Sequence, residues 1–425
     1  MTMTRAIAER SRVAVLSVHT SPVDQPGTGD SGGMNVYIRE VAERLAARGV
    51  GVDVFTRSRS GEELHSEEIA PGARVVRIDA GPPTPIPKHD LPRLLPRFLG
   101  GVLDRARTEG RRYDLVHSHY WLSGWVGRSL TQIWETPLVS SFHTLGKVKN
   151  YSLANGEPPE PASRLSGETS VIASSDRILA PTPAEAAHLV GLYGADGAGI
   201  RVVPPGVDHA LFSPRDAEAA KQRLHLTRLR LVLFVGRLQT HKGPDIAIRT
   251  LAEAVAREPE RTRDVVLAVV GGPSGGLEHG ADVARLLDLA TALGVGERVM
   301  FFPPQEQARL ADFYAAADAL LVPSRSESFG LVALEAQACG TPVIAAAVGG
   351  LRYIVHDGVT GRLVPGHDPA DHADRLLSLL ADEPARRVMG DRALRASQRF
   401  SWDATARAVL DVYGELVPRP VAASP

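Results

Sequence analysis

Apolar runs of four to six residues alternate along the chain with longer amphipathic stretches. Runs this short, bounded by polar or glycine-containing segments, read as strands buried on both faces, and the stretches between them as helices covering a parallel sheet. One series predicts strands at 13–17, 52–55, 74–78, 114–117, 137–140, 177–180 and 200–203. A second predicts them at 231–235, 265–270, 298–302, 319–322 and 342–345. Between the two, residues 204–214 carry three prolines and a glycine, the composition of a linker. The expectation is an α/β protein of two doubly wound, Rossmann-like domains, 1–205 and 206–400, facing each other across a cleft. A last helix and tail, 401–425, could pack on either half, including a return to the first.

Length agrees with this division, since 425 residues exceed what one ordinary core accommodates. The formal net charge of −1 gives no electrostatic basis for nucleic-acid or membrane-surface partners. A single cysteine, Cys339, excludes an intramolecular disulfide and a cysteine-based zinc site. Residues 1–10 lack an apolar signal core, and no run of about 20 apolar residues occurs. A cytoplasmic location is therefore expected.

Open α/β sheets take ligands beyond the carboxyl ends of their strands, so the chemistry should lie in the strand-to-helix loops. The first is long and polar, and ends in Gly32 and Gly33 before a helical pattern, where backbone N–H groups can meet an anion. It matches neither the dinucleotide fingerprint nor the P-loop, so a dehydrogenase is disfavoured. After the strand at 231–235, Arg237 and Lys242 put two cations over a helix start, an arrangement suited to a diphosphate. After 319–322 comes a Glu-x7-Glu pair, Glu327 and Glu335; with Phe329 starting a helix, the carboxylates would stand about 12 Å apart along it. Such a pair can hold sugar hydroxyls. Solvated surface charges are the plainer reading of each pair taken alone. His117 and His119 share one strand face, but no third ligand is evident and no metal site is expected. His143 ends another strand as a candidate hydrogen-bond donor. No Asp-x-Asp is present to hold a metal bridging a diphosphate.

Taken together, the Gly-Gly loop, the Arg/Lys pair and Glu-x7-Glu resemble the retaining glycosyltransferases of family four, of GT-B fold, over residues 11–415. Gln25-Pro-Gly-Thr-Gly-Asp-Ser-Gly-Gly-Met-Asn35, His117-Ser-His-Tyr-Trp-Leu-Ser-Gly124, Val148-Lys-Asn150, Gly271-Gly-Pro-Ser-Gly275 and Glu335-Ala-Gln-Ala-Cys-Gly-Thr341 are similar to one actinobacterial branch. Enzymes of that branch pass N-acetylglucosamine from UDP to 1D-myo-inositol 3-phosphate, with retention, at the start of mycothiol synthesis. The resemblance implies that Gly32, Gly33, Arg237 and Lys242 hold the diphosphate and Glu335 the ribose. It implies that Glu327, Phe329, Gly330 and His143 meet the sugar, with His143, Arg237, Lys242 and Glu327 as the catalytic set. Lys88, Tyr120, Thr144 and Arg164 would meet the acceptor phosphate, and His19, Asp30 and Asn35 would stand on the acceptor side near the inositol ring. It implies no tightly bound cofactor but a nucleotide-sugar co-substrate, UDP-N-acetylglucosamine with a GDP-sugar as alternative. Magnesium is required by no motif, and a homodimer is the implied assembly. The family precedent for retention is front-face attack, which needs no carboxylate nucleophile.

Two departures keep other acceptors open. Four prolines crowd the loop between Gly81 and Lys88, and Arg325 adds a charge beside Glu327. An antibiotic-pathway paralogue acting on a small thiol or aminocyclitol, such as a lincosamide-type S-glycosyltransferase joining a GDP-octose to ergothioneine, would fit them. A non-catalytic nucleotide-sugar-binding protein is the alternative from another class.

Overall fold

The computed structural model describes residues 11–61, 65–154, 156–273 and 281–417; Ser274, Gly275, the first ten residues and the tail beyond 417 lie outside the described residues. The first sheet comprises β1 (Arg12–Leu16), β2 (Gly51–Arg57), β3 (Ser66–Ala70), β4 (Ala73–Ile78), β5 (Leu115–His119), β6 (Leu138–Ser141), β7 (Arg177–Ala180) and β8 (Ile200–Val202). Its order is β3-β4-β2-β1-β5-β6-β7-β8. The second comprises β9 (Arg230–Val235), β10 (Val265–Val270), β11 (Val299–Phe302), β12 (Ala319–Val322), β13 (Val343–Ala346) and β14 (Gly361–Val364), ordered β11-β10-β9-β12-β13-β14. Neighbours run parallel throughout, except that β3 is antiparallel to β4.

All the expected strands are present, with ends shifted by a residue or a few. Their apolar runs are buried by helices on both sides; Val52, Val54, Phe55, Leu231, Val232 and Leu233 are inaccessible to solvent. Two further strands were not expected. β3 and β14 are sheet edges, where one neighbour is missing and less apolar surface needs covering, so Ser66-Glu-Glu-Ile-Ala70 and Gly361-Arg-Leu-Val364 carry little strand signal.

Each sheet has a point where the strand order reverses, between β1 and β5 in one and between β9 and β12 in the other. Loops leaving these strands diverge and open a crevice, and the crevices of the two sheets face each other.

The helix Trp402–Leu416 resolves the open question of its packing: it returns to the first sheet. Ser401 caps it, its Oγ accepting from the Ala404 N–H at 3.2 Å. Trp402, Val409, Leu410 and Tyr413 then share a core with Val13, Val15, Tyr37 and Val41. On the outer side Glu415 meets Arg177 and Arg201, both at 2.8 Å. The chain crosses itself at the linker, where Val207 bridges to Ser401; a Cβ on Gly206 would lie 2.1 Å from the Trp402 nitrogen, so only glycine fits.

Candidate functional site

Between the sheets lies a cleft with a cavity of about 280 Å³. His19, Asp30, Gly32, Gly33, Lys88, Tyr120, His143 and Thr144 line it from the first sheet, and Arg237, Lys242, Glu327, Phe329, Gly330 and Glu335 from the second. Residues spread over some 300 positions of sequence are thus brought together. Asn35 and Arg164 are not part of the lining.

On the second-sheet wall, the chain leaves β9 through Gly236 and Arg237, makes a single turn at Thr240–Lys242, and enters the helix Pro244–Arg257 through Gly243. Gly243 has φ +74°, and a Cβ there would sit 2.4 Å from the Pro323 carbonyl oxygen, so the turn can form only with glycine. It places Lys242 Nζ 2.6 Å from Glu327 Oε2. Arg237 Nη1 is buried with no hydrogen-bond partner among the described residues, and Asp30 lies at 3.7 Å. Burial pulls the Arg237 pKa below its ordinary value against the opposing charges of Asp30 and Glu327. A buried cation with an open donor is prepared for an anion.

One expectation about Glu-x7-Glu needs correcting. Phe329 does not start the helix, which runs Leu331–Ala338 with Gly330 at its N-cap, φ +100°. Glu327 therefore sits in the loop, and a helical rise does not describe its separation from Glu335. Its carbonyl accepts from the Gly350 N–H at 2.9 Å, and the close approach of Gly349 leaves no room for a side chain there. The Gly349–Gly350 turn is thus a support for Glu327 that sequence reading missed. Glu335, on the buried face of the helix, accepts from the Tyr314 hydroxyl at 2.7 Å, and burial pushes its pKa up to about 7. Nor does Arg325 bring free charge to this wall: it pairs with Asp245 at 2.9 Å and bonds the Thr240 carbonyl.

The first-sheet wall is aromatic and basic. Tyr120 and His143 follow β5 and β6 with φ of +73° and +61°. Left-handed backbone at non-glycine residues costs on the order of 1–3 kcal/mol each and concentrates at functional sites. Around the Tyr120 ring stand Lys88 at 5.8 Å, Arg164 at 5.1 Å and the His19 ring at 4.7 Å. Despite its prolines, the loop before Lys88 is ordered by Arg57, which donates to the Pro82 and Thr84 carbonyls at 2.9 and 2.7 Å. Lys88 emerges at a 3₁₀ turn and reaches Asp30 at 2.8 Å. His19 is held neutral, its pKa lowered by burial first and then by Lys88, Arg237, His143 and Arg164. Its Nδ1 is buried with no partner among the described residues.

Two residues expected on this wall lie behind it. Asn35 is buried in the first turn of the helix Gly33–Ala46, where Nδ2 donates to Thr20 Oγ1 and the Ser21 carbonyl and Oδ1 accepts from the Gly32 N–H. Its polar atoms are used in shaping the glycine loop. Arg164 is bound by Glu168 at 2.8 Å, Glu160 at 2.9 Å and Thr144 Oγ1 at 3.0 Å, so it reaches the cleft through Thr144.

The loop carrying Gly32 also spans the cleft. Gln25 Nε2 donates to the Pro304 carbonyl at 3.2 Å, and a Cβ on Gly33 would lie 3.0 Å from Leu331 Cδ1. A smaller cavity of about 170 Å³ adjoins the Glu327 loop, sharing Glu327 and Ser328 with the cleft and adding Thr182, Glu185 and His188. Among the described residues no group of three or more His, Cys, Asp or Glu side chains could hold a metal ion. No helix among them is long and apolar enough to cross a membrane.

Two facing doubly wound sheets, with a cation pair and a carboxylate pair over the second, define a glycosyltransferase of GT-B fold. Models of known families match both halves, "Glycosyltransferase Family 4" over residues 31–211 and "Glycosyl transferases group 1" over 215–396. The chain is 52% identical over 410 residues to D-inositol 3-phosphate glycosyltransferase 2 of Catenulispora acidiphila, covering 96% of this chain and 95% of that one. It is 51% identical over 406 residues to the D-inositol 3-phosphate glycosyltransferase of Actinosynnema mirum, covering 95% and 97%. Among solved structures, sucrose-phosphate synthase of Thermosynechococcus elongatus superposes with a TM-score of 0.88 at 36% identity, over 96% of this chain and 99% of that one. Anabaena HepE in complex with UDP-glucose shares the fold, with a TM-score of 0.74 at 21% identity over 96% and 100%. The chain belongs to the family-four glycosyltransferases, and it is an enzyme that transfers a sugar to an acceptor.

Proposed function

We propose that the chain transfers N-acetylglucosamine from UDP-N-acetylglucosamine to 1D-myo-inositol 3-phosphate, with retention of the anomeric configuration. The observation that carries the acceptor is the grouping of Lys88, Tyr120 and Thr144 on the first-sheet wall, with Arg164 behind Thr144. A cation, a phenol and a hydroxyl backed by a second, carboxylate-paired cation suit a phosphate monoester, whose oxygens accept several bonds at once. The names of the relatives, half of whose residues are shared over nearly the whole chain, support the same acceptor.

On the donor side, Arg237, Lys242 and the N–H groups at Gly33 would hold the diphosphate, Glu335 the ribose, and Glu327 with His143 the sugar hydroxyls. Among the described residues, the three carboxylates lining the cleft are all engaged: Asp30 with Lys88, Glu327 with Lys242, Glu335 with Tyr314. None of these stands free as a nucleophile for double displacement, which favours front-face attack. The acceptor oxygen bonds to the anomeric carbon on the face from which UDP departs, and its proton passes to the leaving diphosphate oxygen. Arg237 and Lys242 stabilise the charge developing there. The cleft-spanning glycine loop excludes water and so suppresses donor hydrolysis.

Product analysis tests this reading. Purified protein offered UDP-N-acetylglucosamine and 1D-myo-inositol 3-phosphate should form a phosphorylated pseudodisaccharide with stoichiometric UDP, seen by mass spectrometry, and its anomeric proton should carry the small coupling of the α configuration. A β-configured product would overturn retention, and no product from folded protein would overturn the assignment.

A further inference from the structure

His117 and His119, set two apart on β5, have no assigned role in the transfer, yet they form a buried line from the cleft to the terminal helix. Next to the cleft, His143 Nε2 lies 2.8 Å from His119 Nδ1. The His119 ring lies against that of His117, centroids 4.3 Å apart at an interplanar angle of 34°. At the far end, His117 Nδ1 meets the Tyr413 hydroxyl at 2.7 Å and His117 Nε2 meets Ser141 Oγ at 2.9 Å. Tyr413 belongs to the helix Trp402–Leu416, which follows the second sheet in the chain and packs on the first. That helix therefore contributes to the back of the site as well as to the first core.

A neutral imidazole has one donor nitrogen and one acceptor. Burial holds His117 and His143 down to about 3 and His119 well below its ordinary value, so all three are uncharged at working pH. In the His119–His143 contact one nitrogen carries the proton and the other accepts it; either ring can be the donor, so the contact couples the two tautomers and the remaining His143 nitrogen takes the character opposite to that of Nε2. The groups around His143 are His19 beyond β1, Tyr37 on the first helix, and His117 and His119 on β5, with Arg237, Lys242 and Glu327 lining the same cleft from the opposite wall.

We propose that His119 is the positioning residue for His143: by occupying Nε2 it locks a single neutral tautomer and leaves Nδ1 as the ring nitrogen presented to a hydroxyl of the transferred sugar. The left-handed backbone of His143 serves the same end, turning the ring back onto β5 instead of along its own strand. His117, fixed by Tyr413 and Ser141, supports the His119 ring from behind. What His143 touches rests on the glycosyl-transfer reading; the tautomer lock does not.

Two substitutions of similar size separate positioning from mere packing. In His119→Asn the carboxamide places a polar atom near the former Nδ1, whereas in His119→Gln it lies nearer the former Nε2, away from His143. Expected is that His119→Asn keeps kcat/KM for the nucleotide-sugar within about threefold, while His119→Gln loses about 10- to 100-fold, the scale of a misaimed contact. ¹⁵N NMR of ligand-free protein should show one His143 tautomer in wild type and His119→Asn, and a ring exchanging between its two neutral tautomers in His119→Gln, since burial still holds it uncharged. Equal kinetics in the two variants together with an unchanged His143 spectrum in both would overturn the proposal. If the donor assignment is what fails, turnover is absent from wild type too, and the spectra still decide the lock.

Discussion

The two walls of the cleft use charge differently. On the second-sheet wall most charges sit beside an opposite charge or are suppressed: Lys242 faces Glu327, Arg325 faces Asp245, and Glu335 is pushed towards neutrality beside Tyr314, while Arg237 keeps one donor open. On the first-sheet wall neutral histidines and Tyr120 surround one ion pair, Lys88 with Asp30, with Arg164 behind Thr144. Under the proposed function, the paired charges and the open donor of Arg237 on the second-sheet wall serve the hydroxyls and diphosphate of a nucleotide-sugar, and the Lys88–Asp30 pair among uncharged rings on the first serves a phosphorylated acceptor. That proposed division between the sheets can be broken from either side.

The largest effect should come from Lys242→Ala, which removes the charge beside the leaving diphosphate and leaves Glu327 unpaired. A loss of about 10²–10³ in kcat is expected; steady-state kinetics showing near-normal turnover would remove Lys242 from the machinery. Lys88→Ala should sharpen the contrast. It should raise KM for the phosphorylated acceptor by about 10- to 100-fold, the worth of a charge-assisted hydrogen bond, while KM for the donor stays within about twofold. Equal damage to both constants would mean that the walls do not divide the work.

Glu335 provides a pH test without substrate. Its carboxyl titrates at about 7 in the folded chain against an ordinary value of 4.5. Because the unfolded chain ionises first, the stability from this group is intact below pH 4.5 and is lost as pH rises through 7, on the order of 3 kcal/mol in all. Glu335→Gln should remove that loss, so its thermal midpoint should exceed that of wild type at pH 8 and approach it at pH 5, read by calorimetry. A wild-type midpoint advantage at pH 8 would contradict the buried, neutral carboxyl. The smallest effect is expected from Arg325→Ala, whose charge is taken up by Asp245. Donor KM should shift less than about threefold, and a greater change would place Arg325 on the sugar.

The sequence made the central parallel strands legible, because strands covered on both faces must be continuously apolar. It did not mark the edge strands β3 and β14, whose exposed sides permit Glu67, Glu68 and Arg362. The cleft residues carried by local motifs were legible as well: Arg237 and Lys242 share one turn, and Glu327 and Glu335 share one loop-helix unit. Contacts between distant segments were not. Nothing near Tyr314 signals its bond to Glu335, Gly349 shows no link to Glu327, and Tyr413 is separated from His117 by 296 residues. Asn35 and Arg164 illustrate the converse, since their side chains face cleft-forming segments but spend their hydrogen bonds shaping Gly32 and Thr144. A motif identifies the residue and not which of its neighbours takes its polar atoms.

The central claim is that the first-sheet wall selects an anionic acceptor, and acceptor competition tests it most directly. With UDP-N-acetylglucosamine fixed, transfer would be measured to an equimolar mixture of 1D-myo-inositol 3-phosphate and unphosphorylated myo-inositol, with both products resolved by mass. The account predicts that the phosphorylated product dominates by about 100-fold or more, a preference that collapses in Lys88→Ala. Comparable transfer to the two acceptors by the wild-type protein would contradict it.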